Sequence, residues 1–133
     1  MTTKDKRRNG VHSDLLIKID KVLAGMKAIG FPMLLTDGVR TQEQQHEIWR
    51  QGRERPGAVV TNADGIVIKS NHQVKADGFG HAVDCCFLDP NGRPTWSMDY
   101  PWKAYAELCK AVGLKHGIKL NSSTIDWPHA ELG

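Results

Sequence analysis

The chain is poor in cysteine, with three thiols among 133 residues, two of them adjacent at Cys85 and Cys86. Neighbouring residues of a strand point to opposite faces, so this pattern excludes a disulfide-stapled domain and reads as reduced core cysteines. No CxxC pair occurs, which removes the usual structural zinc clusters and leaves histidine and carboxylate as the metal-holding residues. Apolar runs near the roughly 20 residues of a membrane span are missing. The first residues, MTTKDKRRNG, lack the apolar stretch of roughly 7–15 residues that a secretory signal needs, so synthesis in a cytoplasm is expected. Charge of one sign is scarce too: 18 Lys and Arg against 15 Asp and Glu give a net charge of +3. Apart from Lys4 to Arg8 the basic residues are spread out, too weak a footprint for a nucleic-acid-binding module.

What the chain does contain fits one domain. Its length supports a single core, and 40% apolar with 25% charged residues is ordinary for a globular protein. Residues 1–10 read as a flexible polar arm, and 11–133 as the domain. From Ser13, expected as the N-cap, apolar residues recur at helical spacing from Leu15 to Ile29, and Gly30 is a natural stop. FPMLLTDGVR reads as a buried strand with a turn at Asp37 and Gly38. Thr41 and Gln44 form a capping box that opens a helix ending near Gly52. IVIK, residues 66–69, is expected as a short strand, HAVDCCFL as a longer one, and DPNGRP as a turn leading to a returning strand. YPWKAYAELCKAVG repeats apolar residues at helical spacing, and Trp49, Trp102 and Tyr105 are expected in the core. The fold class is α+β: a small, mostly antiparallel sheet with about three helices packed on it.

Metal-friendly residues crowd into SNHQVKADGFGHAVDCC, Ser70 to Cys86. In an extended His81 to Leu88, Asp84 points to one face and His81 to the other, so they do not share a site. Asp84 stands among apolar neighbours and needs a cation or several donors to offset its desolvation. His72 lies on a loop free to fold back, and Gly80 permits close backbone approach. Spacing alone leaves two readings. His72 and Asp84 are metal ligands, or Asp84 caps a turn or pairs with a lysine while His72 is a surface loop residue.

The closing IDWPHAEL favours the first reading. Pro128 biases Trp127 to extended backbone, giving a stiff bend in which Asp126 and His129 face one point. A catalytic zinc takes three protein ligands and a water whose pKa falls to roughly 7, with a nearby carboxylate accepting the proton. His129 is the third ligand candidate and Asp126 the candidate base. Glu131 could hold the His129 imidazole or compete as base, and Trp127 could line a cleft.

DGVRTQEQQHEIWRQGRERPGAVVTNA, SNH…GHAVD and DWPHAEL, in that order, resemble the three motifs of the M15 zinc peptidases. That family comprises D-Ala-D-Ala carboxypeptidases and dipeptidases, and the phage L-alanyl-D-glutamate endopeptidases that act as endolysins. The resemblance spans about Gly30 to Leu132. It implies one zinc per chain on His72, Asp84 and His129, with Asp126 as general base for a zinc-activated water. It implies that Arg40 holds the substrate carbonyl and stabilises the oxyanion. Ser70 corresponds to a motif residue that orients His72, and Gln45 to a structural position beside the arginine. The implied substrate is the peptidoglycan stem peptide, cut between L-alanine and D-glutamate by a monomer without stable membrane or nucleic-acid association. Phage host lysis would then depend on a separate membrane-pore protein for release to the cell wall. D,D-carboxypeptidase or dipeptidase activity, or an inactive zinc-holding phage structural module, are the other readings. Seven residues separate His72 from Gly80 where the family motif has two. Asp77 and Lys75 of this enlarged loop are expected at the cleft rim.

Overall fold

The computed structural model describes residues 7–117 and 125–133. Among the described residues three helices and five strands follow in the order α1 (Ser13–Ala28), β1 (Met33–Asp37), α2 (Gln42–Arg50), β2 (Ala82–Leu88), β3 (Pro94–Thr95), α3 (Trp102–Ala111), β4 (Leu114–His116) and β5 (His129–Leu132). The sheet is open and antiparallel in order β1-β2-β5-β4, with β3 added beside the end of β2. The expected α+β class is the one observed. No helix among the described residues is long and apolar enough to cross a membrane.

The helices arise where the apolar spacing predicts them. Leu15, Ile19, Val22 and Met26 form the buried stripe of α1, each worth roughly 1.5–3 kcal/mol when fully buried. They pack with Trp102, Tyr105 and Cys109 of α3 against Val83, Cys85 and Phe87 of β2. By the two-residue period of a strand, Asp84 faces the other side of the sheet. Thr41 caps α2 through the reciprocal box with Gln44.

Local expectations fail at three places. His12, not Ser13, is the N-cap of α1, its Nδ1 accepting from the Asp14 amide at 3.1 Å. Residues 66–69 form no strand, because the Asp64 carboxylate accepts the amides of Ile66, Val67 and Ile68 and curls them into a turn. Trp49 lies outside the main core, sandwiched between the His46 ring and the Arg53 guanidinium. His46 beside it is half-buried, with its Nδ1 donating to the Asp64 carbonyl. Residues 1–6 of the polar arm lie outside the described residues. Arg8 pairs with Asp20 at 2.7 Å, and the Gly10 carbonyl accepts from the Gly80 amide at 2.8 Å.

Candidate metal centre

Asp84 is the pivot. In the ladder it stands opposite Asp37 of β1 and opposite His129 of β5, and facing residues on neighbouring strands share one face. A register shift between Leu35 and Asp37 brings the second carboxylate into line. Two facing carboxylates would repel, but Arg40 lies between them. Its Nε donates to Asp37 at 2.7 Å, its Nη2 to Asp84 Oδ2 at 2.9 Å and its Nη1 to Gln45 at 3.0 Å. The arginine thus holds one oxygen of Asp84 with one of its five N–H donors and commits two more to Asp37 and Gln45.

The other oxygen, Oδ1, is aimed at two imidazoles, 3.4 Å from His72 Nε2 and 3.5 Å from His129 Nδ1. Both histidines are buried. His72 Nδ1 lies 2.7 Å from the Gly38 carbonyl, which can only accept, so Nδ1 carries the proton and Nε2 keeps its lone pair. His129 Nε2 lies 2.9 Å from a Glu131 oxygen, which likewise assigns its proton to Nε2 and turns the Nδ1 lone pair inward. One ligand atom from each of His72, Asp84 and His129 falls within 4.8 Å of the others. His72 Nε2 and Asp84 Oδ1 are buried with no hydrogen-bond partner, and buried polar atoms are rarely left so. Three convergent, partner-poor donors, each with its opposite side anchored, fit a divalent cation.

Charge follows the same geometry. Burial alone would raise the Asp84 pKa, but the facing His129 and His72 imidazoles and the nearby Arg40 hold it well below the carboxylate range. Burial would lower His129, yet Asp84 and Glu131 raise it to about 9, so without a cation Nδ1 carries a second proton at neutral pH that a bound metal would displace. Asp126, lining the same cleft, is pushed up to about 6 by burial and by the Asp84 charge. Its carboxyl also feels His129, His72 and Arg40, which place it beside the three ligands.

The remaining residues sort by position. Ser70 Oγ accepts from the His72 amide at 3.2 Å, and the His72 carbonyl accepts from the Arg40 amide at 2.9 Å, tying the two loops together. Gly38 is hemmed in: a Cβ there would sit 2.2 Å from the Arg7 carbonyl. Gln45 is fully buried, accepting from Arg40 and donating to Thr61 and Ala63 at 3.2 and 2.9 Å. Gln45→Leu is expected to cost roughly 2–3 kcal/mol, because it leaves the Arg40 donor and the Ala63 acceptor unmatched. A urea unfolding midpoint measures this.

His81 turns outward to Asp77 at 2.7 Å, away from Asp84, as strand alternation requires. Trp127 does not line the cleft. The Pro128 bend that sends Asp126 inward sends Trp127 to the opposite side, against the His116 ring and the core. His116 is no ligand candidate, since its Nε2 donates to the Trp127 carbonyl at 2.7 Å. Asp77 and Lys75 are absent from the cleft wall, which includes Thr36, Arg40, Val60, Ile68, His72 and Trp96. The cleft holds about 790 Å³.

No family model matches the chain. It is 28% identical over 121 residues to the peptidoglycan L-alanyl-D-glutamate endopeptidase CwlK of Bacillus subtilis (strain 168), covering 85% of this chain and 68% of CwlK. The crystal structure of the Serratia marcescens L-Ala D-Glu endopeptidase ChiX superposes with a TM-score of 0.61 at 23% identity, covering 100% of this chain and 89% of ChiX. The chain is thus similar in sequence to CwlK and shares the fold of ChiX. A second solved structure, the L,D-carboxypeptidase DacB from Streptococcus pneumonia, superposes with a TM-score of 0.62 at 18% identity over 98% of this chain and 70% of DacB. Two residues that bind into this centre carry no motif signal in the sequence. Asp37 was legible only as a turn residue, and Asn71 only as the middle of SNH.

Proposed function

We propose that this domain is a zinc-dependent peptidoglycan peptidase that hydrolyses the L-alanyl-D-glutamate bond of the stem peptide. The observation that carries the reading is the convergence of His72 Nε2, Asp84 Oδ1 and His129 Nδ1, two of them otherwise unpartnered and buried, at the floor of a long cleft. The choice of bond rests on CwlK, whose name states that specificity. A zinc held by these three residues would supply a Lewis acid and lower the pKa of a water to roughly 7.

The chain's own residues do the rest. Asp126 takes a proton from the attacking water on its carboxylate and returns it to the leaving amine nitrogen. Arg40 steadies Asp84 and presents its remaining N–H donors to the substrate carbonyl, where negative charge develops. Gly38 and Glu131 hold the two imidazoles with their lone pairs inward. A phage origin and a role in host lysis are supported by the sequence resemblance alone.

The test is digestion of purified peptidoglycan, followed by amino-group release and by the masses of the products. New D-glutamate amino termini, abolished by a chelator and restored by zinc, are the expected result. Release of free D-alanine in their place would select the carboxypeptidase alternative. Muropeptides unchanged at every zinc concentration would end the peptidase reading.

A further inference from the structure

The enlarged loop between the first two ligand candidates does not reach the cleft, yet it reaches the metal centre from behind. Lys75 Nζ donates to Asn71 Oδ1, and Asn71 Nδ2 donates to Glu131 Oε2. Glu131 Oε1 receives the His129 Nε2 proton at 2.9 Å. The four side chains form one directed path from a surface loop to a ligand candidate. We infer that the enlarged loop is a positioning element for the metal centre, with Lys75 and Asn71 setting, through Glu131, the orientation in which His129 offers Nδ1 to zinc.

The direction of the path follows from what each group can do. An ammonium only donates and a carboxylate only accepts, so an amide between them has one favourable orientation. Lys75 holds the Asn71 oxygen outward, and the NH2 group is therefore turned to Glu131. A reversed amide would set its oxygen against the Glu131 carboxylate and its NH2 group against the Lys75 ammonium. With Oε2 so held, Oε1 is fixed where it receives the His129 proton, and a ligating imidazole is characteristically oriented by such a partner.

The loop is built to keep Lys75 in place. Its amide donates to the Phe79 carbonyl and its carbonyl accepts from the Gly78 amide, both at 2.9 Å, and Gly78 adopts the φ of +88° that the reversal requires. The loop tip is moored by Asp77 to His81. The Asn71 backbone is fixed as well, its carbonyl accepting from the His81 amide at 2.8 Å. Lys75 forms no ion pair among the described residues. The other cation near Glu131 is Lys115, which faces it across the β4–β5 ladder and acts by charge without touching Asn71.

This inference rests on the zinc reading above, and the full chain titrated with zinc against a competing chelator tests both. Asn71→Ala is expected to weaken zinc by about 10–100-fold, the usual cost of losing a group that orients a ligand. Lys75→Met, a surface change that leaves folding intact, should weaken it by about 3–10-fold, and Lys75→Arg should restore it to within about twofold. In zinc-loaded protein with isotope-labelled histidine, the His129 Nε2–H resonance should exchange with water faster in Asn71→Ala than in wild type. Lys115→Met is the comparison for charge alone and should change zinc affinity by less than about twofold. Unaltered affinity and exchange in Asn71→Ala, or a Lys115→Met effect equal to that of Lys75→Met, would overturn the inference while leaving the peptidase reading standing. Wild-type protein that binds no zinc overturns both.

Discussion

His72→Ala and His129→Ala proteins are expected to emerge without zinc and without peptidase activity, while His81→Ala retains most of both. The three histidines lie within a short span or on adjoining strands, but their surroundings differ in kind. His72 and His129 are buried, with one ring nitrogen anchored and the other turned toward Asp84 Oδ1. His81 meets the half-exposed Asp77. Removing either buried imidazole leaves two ligands where a catalytic zinc needs three. Loss of the Lewis acid forfeits several kcal/mol of transition-state stabilisation, on the order of a 10³-fold fall in kcat/KM or more. Metal content per chain and turnover of peptidoglycan are the measurements. A His81→Ala protein that loses its zinc would show that the ligand set is wrong.

How far the sequence foretold this centre depends on whether a residue acts through its period or through its fold. Asp84 was legible because alternation along a strand decides which face a side chain takes, and the strand was plain from its composition. His129 and Asp126 were legible because Pro128 restricts the backbone beside them. The same bend misled for Trp127: a proline fixes the local conformation, and only the packing of His116 and the core decides which side of the bend is wet. Residues 66–69 misled for a related reason, since three backbone amides found a side-chain acceptor in Asp64 that competes with pairing in a sheet. Lys75 and Asn71 were opaque. An amide beside a ligand and a lysine in a loop are commonplace, and their connection runs through Glu131, 60 residues on from Asn71.

Asp126→Asn and Asp126→Ala are expected to bind zinc nearly as wild type does and to turn over about 10²–10⁴-fold more slowly, the usual contribution of a positioned base. The carboxyl lies beside the ligands but makes no place in the group of three, so its loss spares the metal. The pH profile separates a base from a merely structural carboxylate. In the metal-free protein, burial and the Asp84 charge raise Asp126 to about 6, so it is ionised above that pH and neutral below it. A divalent cation alongside favours the ionised form and moves the transition lower. Wild-type kcat/KM should therefore fall on the acid side with an apparent pKa at or below about 6, as the base takes up its proton. Asp126→Asn should lack that acid limb, leaving only the loss caused by zinc release at still lower pH. A variant that keeps both the limb and the rate would move the base elsewhere. Glu131 is then the other carboxylate in reach, although its two oxygens are already committed to His129 and Asn71. A base that holds a ligand's N–H and an amide loosens that hold when it takes a proton from water, which is why the half-buried Asp126, whose carboxylate makes no hydrogen bond among the described residues, carries the assignment.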